Sequence, residues 1–166
     1  MDERVRKTCC ELLEQRGYTV VQSEEDILIG DSQDERIIVF NNKESITIAN
    51  IKEYVGFMDE SGLKHAIIIY NNTITPQANK TIETLPNMEI EIFLEKSLIY
   101  NITKHRLVPT HVNLSPAETM IFKKKYGIKL PVIQKSDSIA RFYNYKSGDI
   151  IKITRKDGIV VYRIVK

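Results

Sequence analysis

Hydrophobic positions change period along the chain, and each change marks an element. Val5, Cys9, Leu12 and Leu13 recur near one face of Asp2 to Arg16, which predicts a helix with acids ahead of bases. Arg16-Gly17-Tyr18 stops it. Three short β candidates follow, Tyr18 to Val21, Ile27 to Ile29 and Arg36 to Phe40, separated by acidic, Ser- and Gln-containing turns. Ile48, Ile51, Val55 and Met58 return to helical spacing, with Gly62 beyond the end. His65 to Tyr70 is almost wholly apolar, as suits a strand covered on both faces. Thr75-Pro76 opens another helix, with Thr as cap and Pro at the first position. Between Met88 and Phe93, Glu89 and Glu91 alternate with Ile90 and Ile92 on opposite faces of a strand. Such alternation of helices and strands over the first ~100 residues implies a small α/β unit around a mixed sheet.

The last third reads as a separate α+β unit. Ser115-Pro116-Ala117-Glu118 forms a capping box at the start of a helix. Gly127 ends that helix, with a left-handed cap expected there, and Lys123, Lys124 and Lys125 fill the last turn. Leu130-Pro131-Val132-Ile133 is expected to be extended and buried, because Pro drives the residue before it out of the α region. Asp137 caps a short helix from Ser138 to Tyr143, and Lys146-Ser147-Gly148-Asp149 is a turn. Asp149 to Arg155 and Ile159 to Val165 form a hairpin around Lys156-Asp157-Gly158.

Composition sets the limits. With 166 residues and 42% hydrophobic content, the chain holds one domain or two small ones with a real core. No apolar run has the length of a membrane span, and Met1-Asp2-Glu3 does not open a signal peptide. The expectation is a soluble, intracellular protein without a membrane partner. Cys9 and Cys10 are adjacent, so on a helix they face different sides, and neither a structural disulfide nor a metal clip is expected. Charge is divided along the chain. Met1 to Ser97 carries 18 acidic and 10 basic residues, Leu98 to Lys166 carries 4 and 14. The balance turns near Glu95 to Asn101, which sets expected domains at 1–97 and 98–166. The basic half suits nucleic acid or an acidic protein; the plainer alternative is a solvated basic surface.

One segment brings a family into view. Asn101-Ile102-Thr103-Lys104-His105-Arg106-Leu107-Val108-Pro109-Thr110-His111 resembles the C-terminal domain of the fifth-largest subunit shared by the three eukaryotic nuclear RNA polymerases. It equally resembles the start of the assembly domain in the archaeal counterpart, the small H-type polymerase subunit. The resemblance continues through Leu130-Pro131, Asp137, Ile139-Ala140-Arg141, Lys146 to Arg155 and Tyr162-Arg163, in order, over Asn101 to Lys166. The first half resembles the N-terminal jaw domain of the eukaryotic subunit at Arg16-Gly17-Tyr18 and Tyr70 to Ala78. The archaeal counterpart lacks that domain, so the two-domain layout is eukaryote-like. The departures are Ser138 where Pro is usual, Asn144 where Gly is common, and a short tip between Arg155 and Tyr162. Heavy use of Ile, Lys and Asn suits AT-rich coding DNA, as in many large DNA viruses.

The resemblance implies a jaw domain with a restriction-endonuclease-like core, and that core can be searched for chemistry. A nuclease of this kind needs an acid at a strand end, then acid-x-Lys on the next strand, to hold a divalent metal and activate water. Asp26 or Asp34 can supply the first acid. The next strand offers Glu35-Arg36-Ile37, without lysine, and Glu89-Ile90-Glu91 also lacks it. No active site is therefore expected, and these acids read as solvated turns. His105 and His111 stand six apart and His65 far away, too few ligands for zinc. Neither a phosphate-loop nor a dinucleotide-binding glycine pattern is present. No catalytic residue, metal or cofactor is expected.

The resemblance further implies a non-catalytic subunit of a multisubunit DNA-dependent RNA polymerase. Its C-terminal domain would dock on the largest subunit, among the other polymerase subunits, through His105, Leu107, Val108, Pro109, His111, Arg141 and Arg155. Leu107, Val108 and Pro109 have a second reading, as core of their own domain. Thr75, Pro76, Gln77 and Ala78, opening a helix whose free amides can face a phosphate, would touch the backbone of downstream duplex DNA. The acidic first domain argues against tight DNA binding by the free chain. The implied location is the nucleus, or a cytoplasmic viral factory or virion for a viral homologue. The alternative is a free-standing nucleic-acid-binding module using the basic C-terminal half.

Overall fold

In the computed structural model, which describes residues 1–127 and 129–166, the chain divides into two units, Met1–Tyr100 and Asn101–Lys166. The division falls three residues beyond the boundary drawn from charge. No charged residue lies between, so the acidic and basic halves coincide with the units.

The first unit runs α1 (Glu3–Gln15), β1 (Thr19–Ser23), β2 (Ile27–Asp31), β3 (Arg36–Asn42), α2 (Ile48–Glu60), β4 (His65–Tyr70), α3 (Pro76–Thr84) and β5 (Glu89–Leu94), then a 3-10 turn at Glu95–Leu98. The sheet order is β1-β2-β3-β4-β5. β1, β2 and β3 pair antiparallel, whereas β3, β4 and β5 pair parallel. Each parallel step needs a crossover, which α2 and α3 supply. β4 lies between β3 and β5, and His65 through Ile69 are all buried, as the unbroken apolar run predicts.

The two sheet faces have separate covers. Ile38, Phe40, Ala66 and Ile68 pack against Ile51 and Met58 of α2 and Ala78 of α3. α2 carries a capping box, Thr47 with Asn50, that the hydrophobic spacing alone does not reveal. On the opposite face α1 contributes buried Val5, Cys9, Leu12 and Leu13. Burial pushes the Cys9 thiol up to about 12, so it behaves as a small apolar side chain. Gly30 marks where α1 and Tyr18 press on the sheet. A Cβ there would meet Ile37 Cγ2 at 3.0 Å, Tyr18 Cβ at 3.1 Å and Leu13 Cδ1 at 3.4 Å.

The second unit holds a 3-10 turn (Ile102–Lys104), β6 (Thr110–Asn113), α4 (Pro116–Tyr126), β7 (Val132–Ile133), α5 (Ser138–Phe142), β8 (Ile150–Thr154) and β9 (Val160–Val165). Its sheet order is β6-β8-β9-β7, antiparallel except for β7 with β9. β6 has no alternation to betray it in sequence; its pairing with β8 makes it a strand. The caps match expectation: Ser115 with Glu118 for α4, and Asp137 accepting from the Ile139 and Ala140 amides for α5. Asn144 has φ 55°, the left-handed conformation that Asn tolerates in place of Gly. Two expectations need correction. Gly127 has φ 76° and ψ −165°, which is not the left-handed helical cap but a region open almost only to Gly. Leu130 and Pro131 are not buried; Pro131 is exposed, and the segment is held by the Ile164 amide donating to the Pro131 carbonyl.

Gly30→Val should destabilise the first unit by about 1–3 kcal/mol, because Tyr18 Cβ lies close to the backbone and has no room to retreat. A thermal melt of the variant beside the native chain measures this.

Candidate functional site

Helix N-termini gather at the carboxyl ends of β3 and β4, the edge where open α/β sheets bind ligands. The loops before α2 and α3 are stitched together there. The Ile46 amide donates to the Thr73 carbonyl, the Thr75 amide to the Ile46 carbonyl, and Ser45 and Thr73 hydroxyls meet at 3.0 Å. At the start of α3, Pro76 and Gln77 are exposed, but Ala78 is 0% exposed and belongs to the core. The Ala78 amide donates to Thr75 Oγ1 and the Asn79 amide to the Thr75 carbonyl, while Pro76 has no N–H. The free amides expected at this turn thus reduce to that of Gln77, and Ala78 offers no surface.

The antiparallel β2–β3 hairpin holds a second cluster. Register places Ile27 opposite Phe40, so the start of β2 lies beside the end of β3. Asp26 there accepts from Asn41 Nδ2 at 2.8 Å, from Lys43 Nζ at 2.9 Å and from the Met1 ammonium at 2.9 Å. The Asn41 bond, then those of the ammonium and Lys43, hold its carboxyl well below the usual range. This resembles the nuclease pattern of acid, then acid-x-Lys on the next strand, except that Asn41 stands where the second carboxylate is required and Lys43 lies just past the end of β3. Glu35-Arg36-Ile37, the triplet expected to hold that position, lies at the wrong end of β3. An amide cannot share a divalent ion's charge with Asp26, and it donates to the carboxylate a metal would need. Hydrolytic chemistry is therefore disarmed at this edge.

A third cluster lies under the C-terminal end of α1. Glu89 and Glu91 do share a face of β5, but Glu91 is not solvated. Its side chain is 13% exposed and takes a two-pronged ion pair from Arg16, itself 5% exposed, at 2.6 and 2.9 Å. His65 Nε2 lies 2.8 Å from Glu91 and its Nδ1 lies 3.4 Å from Glu35, to which Tyr18 also donates its hydroxyl. Burial opposes a charge on His65, yet the Glu91 hydrogen bond and charge, aided by Glu89 and Glu35, outweigh it and raise its pKa. Burial likewise opposes the Glu91 charge, and the His65 and Arg16 hydrogen bonds outweigh it, lowering its pKa. Ligand atoms of His65, Glu89 and Glu91 come within 4.8 Å of one another, but Arg16 already pairs with Glu91 in two contacts and His65 Nε2 is hydrogen-bonded to it. The cluster is a neutralising network.

In the second unit, a groove of about 280 Å³ is lined by Leu107, Val108, Pro109, His111, Ile133, Asp137, Ile139, Ile153, Arg155, Val161 and Arg163. Five of the seven expected docking residues meet here. His105 and Arg141 do not line it, although both are exposed. Leu107 is 73% exposed, so it is not core of its own domain; Val108 and Pro109 are half-buried. His105 Nδ1 accepts from the Leu107 amide, and His111 Nδ1 donates to the Pro109 carbonyl at 2.9 Å, so the two imidazoles brace the segment that carries the apolar tip. Arg163 and Ile133 lie in segments the sequence marks as extended, but nothing local assigns them to the groove, which the paired β7 and β9 help to line.

A mixed five-stranded sheet with a nuclease-like edge, joined to a small sheet domain with an apolar groove, defines a two-domain protein whose first unit is built on the restriction-endonuclease fold. Comparison with known families agrees on both halves. Residues 2–100 match the restriction endonuclease family, and residues 100–165 match the C-terminal domain of RNA polymerase Rpb5. Over 98% of its length the chain is 31% identical to the subunit RPABC1 of DNA-directed RNA polymerases I, II, and III from Caenorhabditis briggsae, covering 94% of that protein. The Caenorhabditis elegans protein gives the same values. The chain belongs to the Rpb5 family of RNA polymerase subunits, and it is a transcription protein without an active site of its own.

Two outcomes test the buried network. Arg16→Ala leaves Glu91 without its main partner and should cost about 3–5 kcal/mol, read from denaturant unfolding. Both His65 nitrogens face carboxylates, and only the imidazolium donates at both. Its raised pKa therefore contributes stability that is full below the unfolded value of about 6.5 and lost as pH rises through the folded value. The melting temperature should fall across that alkaline step, and His65→Gln should flatten the fall.

Proposed function

We propose that the chain docks on the largest polymerase subunit through the groove of its second unit, and that its first unit helps to shape the jaw around downstream DNA. The groove carries this reading. An exposed Leu107 beside half-buried Val108 and Pro109, with Arg155 and Arg163 at the rim, has the build of a protein-binding pocket. Arg141 and His105, off the groove but exposed, extend the same surface in this proposal. In the jaw, Thr75, Pro76 and Gln77 make a sequence-independent contact with the DNA backbone, through the Gln77 amide and the helix dipole. Ala78 takes part only by fixing the turn. The other polymerase subunits complete the partner set. The working location is the nucleus, or a viral factory for a virus-encoded chain.

Affinity purification of the tagged full chain from its native or infected cells tests the reading. The two large polymerase subunits should come along in comparable amounts. Leu107→Glu should reduce their recovery by about tenfold or more while the melting temperature stays within about 1 °C, since Leu107 is exposed. Recovery of nucleic acid alone, released by salt, would instead favour the free-standing nucleic-acid-binding module.

A further inference from the structure

The sheet of the second unit has two faces, and the groove uses one of them. His111, Ile153 and Val161 pair across that face. Val112, Lys152 and Tyr162 stand in register on the other. There α4 is anchored through Phe122, its one buried residue, whose ring meets that of Tyr162 at 4.5 Å. An ordinary surface helix has one apolar stripe, turned inward. α4 has a second. Ala117, Met120 and Ile121 follow the i, i+3, i+4 spacing on the side away from Phe122, and Lys124 continues the row one turn on as a charged edge. Met120 is 73% exposed and Ile121 68%. Lys123 and Lys125 flank the stripe. The helix's one acid, Glu118, is already engaged by the Ser115 amide and hydroxyl, both at 2.8 Å.

We propose that the outer face of α4 is a second docking surface, distinct from the groove, which receives an acidic amphipathic helix of a partner chain. Met120 and Ile121 give the apolar centre that helix pairing requires. The flanking lysines select an acidic partner and reject a basic one. A second copy of this chain fits badly, since it would set lysines against lysines. Duplex DNA fits the lysines but leaves Met120 and Ile121 unmatched at the centre of the contact. The proposal stands apart from the reading of the groove: each surface keeps its own residues and its own sheet face.

The test uses the full chain and a fluorescent helical peptide of about 20 residues, with Leu at helical spacing and Glu elsewhere. A second peptide carries Lys in place of every Glu. Anisotropy titration should show the acidic peptide binding and the basic one not. Met120→Glu with Ile121→Glu should weaken binding by about tenfold or more, and so should Lys123→Glu with Lys124→Glu. Leu107→Glu should leave it unchanged. Because all four α4 positions are exposed, unchanged melting temperatures verify folding of the variants. The proposal is overturned by no binding of the acidic peptide, equal binding of the basic one, loss of binding through Leu107→Glu, or self-association of the chain that Met120→Glu with Ile121→Glu abolishes. Peptide binding that a short DNA duplex displaces completely, through the same lysines alone, would also overturn it.

Discussion

The first unit depends on one buried ion pair. α1 can cover its face of the sheet only if Glu91, on β5 beneath its C-terminal end, is neutralised out of water. Arg16, the residue that caps α1, supplies the charge in a two-pronged contact, and His65 at the start of β4 adds a hydrogen bond at 2.8 Å. A carboxylate buried without such partners would cost several kcal/mol or take up a proton. Thus the helix stop at Arg16-Gly17-Tyr18 is more than punctuation. It puts the guanidinium where the helix must close on the sheet, and Tyr18 follows to donate its hydroxyl to Glu35.

The same unit shows how a catalytic architecture becomes a scaffold. The hairpin still brings an acid, a position two residues before a lysine, and that lysine together at Asp26, Asn41 and Lys43. With an amide in place of the second carboxylate, the geometry favours hydrogen bonding over metal binding. The remaining Lys43–Asp26 pair ties the strand ends together at a half-exposed edge. The nuclease-like edge is left as hydrogen-bonded strand ends beside the two helix N-termini at the ends of β3 and β4.

The second unit has a different logic. Its four-stranded sheet is small, and neither face is fully covered by the unit's own helices. One face opens into the groove beside Leu107; the other carries α4, apolar both inward at Phe122 and outward at Met120 and Ile121. Exposed apolar area on both sides of a small basic sheet is unusual for a free monomer, and it is what the proposed docking draws on.

Local signals settled much of this protein from sequence alone. Thr75-Pro76, Ser115 with Glu118, and Asp137 act within one turn, so their caps were legible, as was the apolar run of β4. The charge split and the ordered motifs after Asn101 carried the family. The rest needed contacts between residues distant in the chain. β6 is a strand because β8 is there to pair with it. Asn41 and Lys43 meet Asp26 only because an antiparallel hairpin reverses strand direction, which is why reading forward along the strand leads to Glu35 instead. Glu91 looked like one tooth of a solvated strand; burial by α1 turned it into the partner of Arg16. Whether Leu107 was core or surface depended on how the loop between the 3-10 turn and β6 folds back, and the two histidines bracing that loop made it surface. Sequence encodes period and caps because they act over one turn; burial and charge pairing act across the sheet, and only the fold decides them.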